Sequence, residues 1–194
     1  MRKKIVTIFL IQTLLFLIIL PVSTLAGDHE NPEIKDNPND TDLPSLDIIS
    51  AWFYEKYDEP TYLYTALEVQ SLNLNLNAVF SIRWKYDLTE YVTGFNTYRF
   101  QNDVFRSGNP KKATYWQWNA MPQCEGTTDQ ATNTITWKVL KSTIGNPEKD
   151  DVLTMTRAAA VPGFPTSFLY FFLGKDFRDF APDEQYGSDY IIQY

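Results

Sequence analysis

Short stretches in which apolar and polar residues alternate recur along most of the chain. Leu63, Leu67 and Val69 hold odd positions of one stretch, whereas Phe80 and Ile82 hold even positions of the next. A period of two residues is typical of a β-strand with one buried face and one solvated face. The pattern therefore predicts a chain built mainly from strands.

Clusters of Asp, Asn, Gly and Pro, such as Arg106–Pro110, separate these stretches and are typical of turns. One helical turn is predicted, at Lys141–Ile144. Short strands at such spacing indicate an all-β fold, a single antiparallel two-sheet β-sandwich of general jelly-roll or immunoglobulin-like shape over residues 46–194. The predicted strands are Asp47–Tyr54, Tyr62–Leu72, Ala78–Tyr86, Tyr91–Phe100, Thr114–Asn119, Thr134–Leu140, Val152–Ala160 and a last strand at Asp189–Tyr194.

The N-terminal residues have the three parts of a secretory signal peptide. Basic residues precede the apolar run Ile5–Leu20, and small residues end at Ala26. We expect cleavage before Gly27, which would place the protein outside the cell or on its surface with no membrane span in the mature chain. The alternative is an uncleaved anchor, although the run is shorter than the roughly 20 residues of a full span. Residues 27–45 are acidic and rich in Asn and Pro, which predicts a loop-like segment before the sandwich.

The net charge and the rarity of Cys and His exclude several classes of function. The formal net charge is -7, and it becomes -10 without the three basic residues of the leader. So acidic a protein repels phosphate backbones, and we expect no nucleic-acid partner. Cys124 and His29 are the single residues of their types, which argues against Cys/His and Ser/His catalysis and against zinc held by histidines. Cys124 is interpreted as a small buried hydrophobe, with a reactive or dimerising thiol as the alternative.

Two groups of acidic residues suggest a structural calcium ion. Calcium takes six to eight oxygen ligands, and a flexible acidic loop supplies them. If the last strand runs beside the first, the two groups meet and close one irregular site. Solvated loop surface is the simpler alternative. The first group is Asp36, Asp40, Asp42 and Asp47, and the second is Asp176, Asp179, Asp183 and Glu184.

Asn39-Asp40-Thr41 is a sequon for N-glycosylation at Asn39. A glycan there would crowd a calcium site that uses Asp40, so the two hypotheses compete.

An aromatic run, Tyr115-Trp116-Gln117-Trp118, is the candidate ligand-binding site. On a strand, Trp116 and Trp118 point to one face, where two indoles would form a platform for sugar rings and Gln117 would reach hydroxyl groups. The alternative is that both indoles belong to the core of the sandwich. We predict core positions for the other tryptophans, Trp52, Trp84 and Trp137.

The order of these features resembles the extracellular β-sandwiches of the DOMON-like group, which includes family 9 carbohydrate-binding modules and C-terminal modules of some surface glycosidases. The residues that carry the resemblance are the acidic loop Asp36–Asp42, the aromatic-basic strand with Trp84, and the strand Ile135–Val139. The resemblance implies a two-sheet sandwich and sugar binding, haem binding or surface attachment. Haem-binding members use Met and His ligands, and His29 beside the cleavage site does not suit that role.

These features together predict a secreted, non-catalytic module that binds carbohydrate or a cell-surface glycan and is stabilised by calcium. The competing hypothesis is a structural or adhesive surface protein that recognises protein. A glycoside hydrolase is less favoured, because the sequence shows no motif for a pair of catalytic carboxylates.

Overall fold

The fold was analysed in a computed structural model that describes residues 27–97, 104–110, 121–163, 167 and 177–194. The predicted signal peptide and the predicted strand Thr114–Asn119 lie outside the described residues. The helices among the described residues include none that is long and apolar enough to cross a membrane.

Two antiparallel sheets pack against each other, which confirms the predicted β-sandwich. The described strands are β1 (Ile34–Lys35), β2 (Ile48–Tyr54), β3 (Tyr62–Val69), β4 (Ala78–Tyr86), β5 (Thr89–Asn96), β6 (Val104–Gly108), β7 (Glu125–Asp129), β8 (Thr134–Leu140), β9 (Val152–Pro162), β10 (Asp179–Ala181) and β11 (Tyr190–Ile191). The first sheet has the order β1-β2-β3-β8-β7, and the second has the order β10-β9-β4-β5-β6, with β11 paired to β9. The predicted helical turn is a 3-10 helix, Lys141–Ile144.

The core lies between the two sheets and is rich in aromatic rings. The ring of Phe53 on β2 meets that of Trp84 on β4 edge to face, with centroids 5.6 Å apart. Phe105 on β6 meets Trp137 on β8 in the same way at 6.2 Å. Both indoles are fully buried, as the alternating pattern predicts. Such pairs add to the free energy gained by burying the rings.

Trp52 is buried, but it does not belong to the core cluster in which it was predicted. Its neighbours Ala51 and Phe53 belong to the core, so alternation places the Trp52 side chain on the outer face of the first sheet. There its ring lies 6.0 Å from that of His29, edge to face. The segment before β1 thus covers part of this outer face.

Some strands carry no clear apolar alternation and were not predicted. The strand β7, Glu-Gly-Thr-Thr-Asp, forms an edge of the first sheet with alternately half-buried and exposed residues. The turn predicted at Arg106–Pro110 is wrong in its first part, because Arg106–Gly108 completes β6. The strand β1 lies inside the segment predicted as loop, and β10 lies in the tail. The strands β1 and β10 depend on partners further away in the sequence, and β7 depends on the adjacent strand β8. A local apolar pattern records none of these pairings.

Strand pairing brings three acidic positions to one end of the sandwich. The N–H of Asp36, just after β1, donates to the carbonyl oxygen of Ile49 at 3.2 Å and so continues the β1–β2 ladder. Asp47 immediately precedes β2. Asp179 begins β10, where it pairs with Ala160 near the end of β9 in the second sheet.

Candidate cation-binding site

Three aspartates from two distant parts of the chain form one cluster. Carboxylate oxygens of Asp36, Asp40 and Asp179 all lie within 4.8 Å of one another. Asp179 is buried, Asp36 is half-buried and Asp40 is exposed, so the cluster opens from the sandwich towards solvent. We call these three residues the acidic trio.

Backbone N–H groups hold two of the neighbouring carboxylates in place. Asp179 Oδ2 accepts from the N–H of Ile48 at 2.6 Å. Asp47 Oδ2 accepts from the N–H of Asn39 at 2.7 Å, and Asp47 is fully buried. These bonds fix the two carboxylates at the start of β2.

Other carboxylate oxygens at this place are buried without a well-formed hydrogen bond. They are both oxygens of Asp36 and Oδ1 of Asp47. A buried, unpaired carboxylate oxygen is costly, because it has lost its contacts with water. Such oxygens are available as ligands for a cation.

Burial and mutual repulsion raise the pKa values of the acidic trio. Burial is the largest cause for Asp36, whose pKa rises to about 7, and repulsion from Asp179 comes second. The pKa of Asp179 rises to about 6, again through burial and then through repulsion from Asp40 and Asp47. The pKa of Asp40 is also raised, first by burial and then by Asp183. The three carboxyl groups are therefore stabilised either by protonation, which removes their charge, or by a bound cation, which balances it.

The loop around the trio is held by side-chain amides. Asn37 Nδ2 donates to Asp183 Oδ2 at 3.2 Å, across 146 positions of sequence. Gln70 Nε2 donates to Asn39 Oδ1 at 2.7 Å. Asn39 has a φ of 70°, a left-handed conformation that Asn tolerates better than most residues. The sequon therefore lies on the loop that encloses the trio, with the Asn39 side chain exposed.

The structure separates the predicted metal ligands into three kinds. Asp36, Asp40 and Asp179 form the trio, while Asp47 and Asp183 lie near enough to raise the pKa of Asp40. Asp42 is exposed and is not a member of the trio. Asp176 of the second predicted group lies outside the described residues. The two acidic groups meet through β10, since the last strand, β11, pairs with β9 and not beside the first strand.

Sequence reasoning did not single out Asn37 or Gln70. Neither belongs to a motif, and both are exposed or half-exposed polar residues of a kind common in loops. Their contacts with Asp183 and Asn39 arise only when remote segments meet.

The predicted ligand-binding residues Tyr115, Trp116, Gln117 and Trp118 lie outside the described residues. The three described tryptophans are at most 9% exposed. Cys124 is half-buried against the core, and burial raises its pKa to about 11, which keeps the thiol protonated. Cys124 is therefore less buried than the interpretation as a small buried hydrophobe predicts, although it packs against the core.

The acidic trio offers oxygen ligands alone, which suit hard cations such as Ca²⁺ or Mg²⁺ better than zinc or copper. The irregular loop and the mixture of buried and exposed carboxylates suit the flexible geometry of Ca²⁺ better than the strict octahedron of Mg²⁺.

The chain was compared with protein-family models, with curated proteins and with solved structures, and none of the three comparisons found a match. The resemblance to DOMON-like modules therefore stays a prediction.

Proposed function

We propose that this protein is a non-catalytic β-sandwich module that binds one calcium ion at the acidic trio. The observation that carries the proposal is the convergence of Asp36, Asp40 and Asp179 within 4.8 Å, next to the fully buried Asp47 with its unpaired Oδ1. One cation would satisfy oxygens that the protein itself leaves without donors.

The ion would link the N-terminal loop to a strand of the second sheet. Asp36 and Asp40 belong to the N-terminal loop, whereas Asp179 belongs to the edge strand of the other sheet. A ligand that binds only the folded state raises the free energy of unfolding by RT ln(1 + [L]/Kd). At a hundredfold excess over Kd this gain is about 2.7 kcal/mol, which moves the melting temperature by several degrees.

The test is thermal melting of the protein with calcium, with magnesium and with excess chelator. We expect calcium to raise the melting temperature by several degrees and magnesium to act more weakly. Asp40→Asn should remove most of the calcium effect, because it neutralises the exposed member of the trio. Asp42→Asn is the matched control, since it removes the same charge from the same loop outside the trio. Equal melting curves in calcium and in chelator would refute the proposal.

The external ligand of the module is proposed to be a carbohydrate or a cell-surface glycan. Of the five tryptophans, the three in the described part of the chain are buried, so an indole platform would have to use Trp116 and Trp118. A glycan array probed with the wild type and with Trp116→Ala and Trp118→Ala tests this hypothesis. Binding that survives both substitutions would remove the platform, and protein recognition at a cell surface would become the better hypothesis.

A further inference from the structure

The first described residue, Gly27, lies buried against the carboxylate of Glu33. A Cβ atom built on Gly27 would be 2.2 Å from Oε2 and 2.3 Å from Oε1 of Glu33. Because bonds to Cα are about 1.5 Å long, the α-nitrogen of Gly27 lies within about 5 Å of the carboxylate. A residue with a side chain at this position would displace the end of the Glu33 side chain.

Glu33 is itself an unusual carboxylate, because it is only 9% exposed. Its Oε2 accepts from the N–H of Phe53 at 2.9 Å, which holds it at the edge of the first sheet. Among the described residues, no Lys, Arg or His forms an ion pair with it. Burial raises its pKa to about 7, and repulsion from Asp28 adds to this rise. Tyr190, whose pKa Glu33 helps to raise, is a further titratable group nearby.

The predicted cleavage site supplies the missing positive charge. Hydrolysis of the Ala26–Gly27 peptide bond consumes one water and leaves a carboxylate on Ala26 and an α-ammonium group on Gly27. We propose that this α-ammonium group is the counter-ion of Glu33, so that removal of the leader completes a buried ion pair at the new N-terminus.

The ion pair would hold residues 27–33 in place, and this segment leads to the cation-binding site. Glu33 is followed directly by β1, and Asp36 of the acidic trio follows β1. An opposite charge within about 4–6 Å favours the charged forms of both groups. The pKa of the α-amine therefore rises above its usual 7.7–8.0, and the pKa of Glu33 falls.

The first experiment expresses the full chain in an exporting host and determines the N-terminus of the product by mass spectrometry. The proposal requires a product that begins at Gly27. A product that keeps the leader, or that begins at another residue, overturns it.

The second experiment measures the pKa of the α-amine from the pH dependence of its labelling by an amine-specific reagent. The wild type should show a value about one unit or more above that of Glu33→Gln, which is a tenfold change in the protonation equilibrium. Glu30→Gln is the matched control and should behave as the wild type, because Glu30 is exposed. Equal values in the wild type and Glu33→Gln overturn the proposal.

If Glu33→Gln does not fold, the wild type in buffer and in denaturant gives the same comparison. The α-amine must then have a higher pKa in the folded protein than in the unfolded chain. Equal values in the two states overturn the proposal.

Discussion

The carboxylate of Asp179 accepts a hydrogen bond of 2.6 Å from the backbone N–H of Ile48, 131 positions earlier in the chain. Ile48 begins β2 of the first sheet, and Asp179 begins β10 at the edge of the second. One side chain thus connects the two sheets and contributes to the acidic trio. We therefore expect substitutions of Asp179 to change both the stabilisation by calcium and the connection between the two sheets.

Asp179→Asn separates the two roles of this side chain. The amide oxygen of Asn can still accept from Ile48, while the negative charge is lost. We expect the calcium-free variant to be at least as stable as the calcium-free wild type, because repulsion with Asp40 and Asp47 is relieved. The increase in stability with calcium should disappear, as measured by melting in calcium and in chelator. Asp179→Ala is the control for the hydrogen bond and should be less stable than Asp179→Asn in both conditions.

The acidic trio should make the stability of the calcium-free protein depend on pH. The pKa values of about 7 for Asp36 and about 6 for Asp179 lie above the roughly 3.9 of an unfolded aspartate. The folded protein therefore binds more protons than the unfolded chain at intermediate pH. Proton binding by these two carboxyl groups stabilises the folded protein fully below a pH of about 4, and this stabilisation is lost as the pH rises to about 7.

Urea denaturation in chelator at several pH values between about 4 and 7 measures this effect. Burial raises the pKa of Glu33 as well, and the proposed pairing with the α-ammonium group of Gly27 would lower it again. The double variant Asp36→Asn/Asp179→Asn, which keeps Glu33, is therefore needed as a reference. The wild type should lose more stability than the double variant over this range. Parallel curves for the two proteins would contradict the prediction. Calcium should flatten the curve of the wild type, because the ion replaces the protons.

Removal of one partner from the buried ion pair between Glu55 and Lys141 should be strongly destabilising. The Nζ atom of Lys141 lies 2.5 Å from Oε1 of Glu55, and the two side chains are 6% and 0% exposed. The second oxygen of Glu55 accepts from the N–H of Gln193 at 2.6 Å and from the hydroxyl of Tyr190 at 3.2 Å. The pair therefore holds the C-terminal residues against the 3-10 helix.

Lys141→Met leaves the Glu55 charge buried without its partner and should cost about 3–5 kcal/mol in the free energy of unfolding. Changing both residues, to Glu55→Gln/Lys141→Met, should cost less than the sum of the single changes. Chemical denaturation of the four proteins gives the coupling energy. The exposed pair Arg83–Glu90, at 3.5 Å, is the matched control and should contribute no more than about 1 kcal/mol. Similar values for the two pairs would contradict the prediction.

Gly126 provides a test of the packing between the two sheets. It lies opposite Trp137 in the ladder, and a Cβ atom at this position would be 2.1 Å from Cδ1 of Phe105. Gly126→Ala should therefore push the Phe105 ring from its place and cost about 1–3 kcal/mol. Thr127→Ala, on the exposed side of the same strand, should change stability by less than about 0.5 kcal/mol. Denaturation curves compare the two variants, and equal stabilities would contradict the prediction.

Local patterns determine much of this fold before any tertiary contact is known. The alternation around Leu63 and around Phe80 predicts strands and the faces that they bury, because each apolar side chain gains free energy from burial wherever its strand lies. The 3-10 turn at Lys141–Ile144 is likewise a local feature. The aspartates of the loop before β2 are candidate ligands by composition alone.

Tertiary structure decides which of these candidates meet and which strands form without an apolar pattern. Asp36 and Asp179 approach each other because β1 pairs with β2 while β10 pairs with β9, and neither pairing leaves a local trace. Asp42 has the same chemistry as Asp40 and differs only in where the loop places it. The edge strand β7 exists because β8 offers it hydrogen bonds, and the burial of Glu33 against Gly27 depends on Phe53 of another strand. Sequence determines chemistry and local periodicity, whereas long-range pairing depends on the free energy of the whole packed chain.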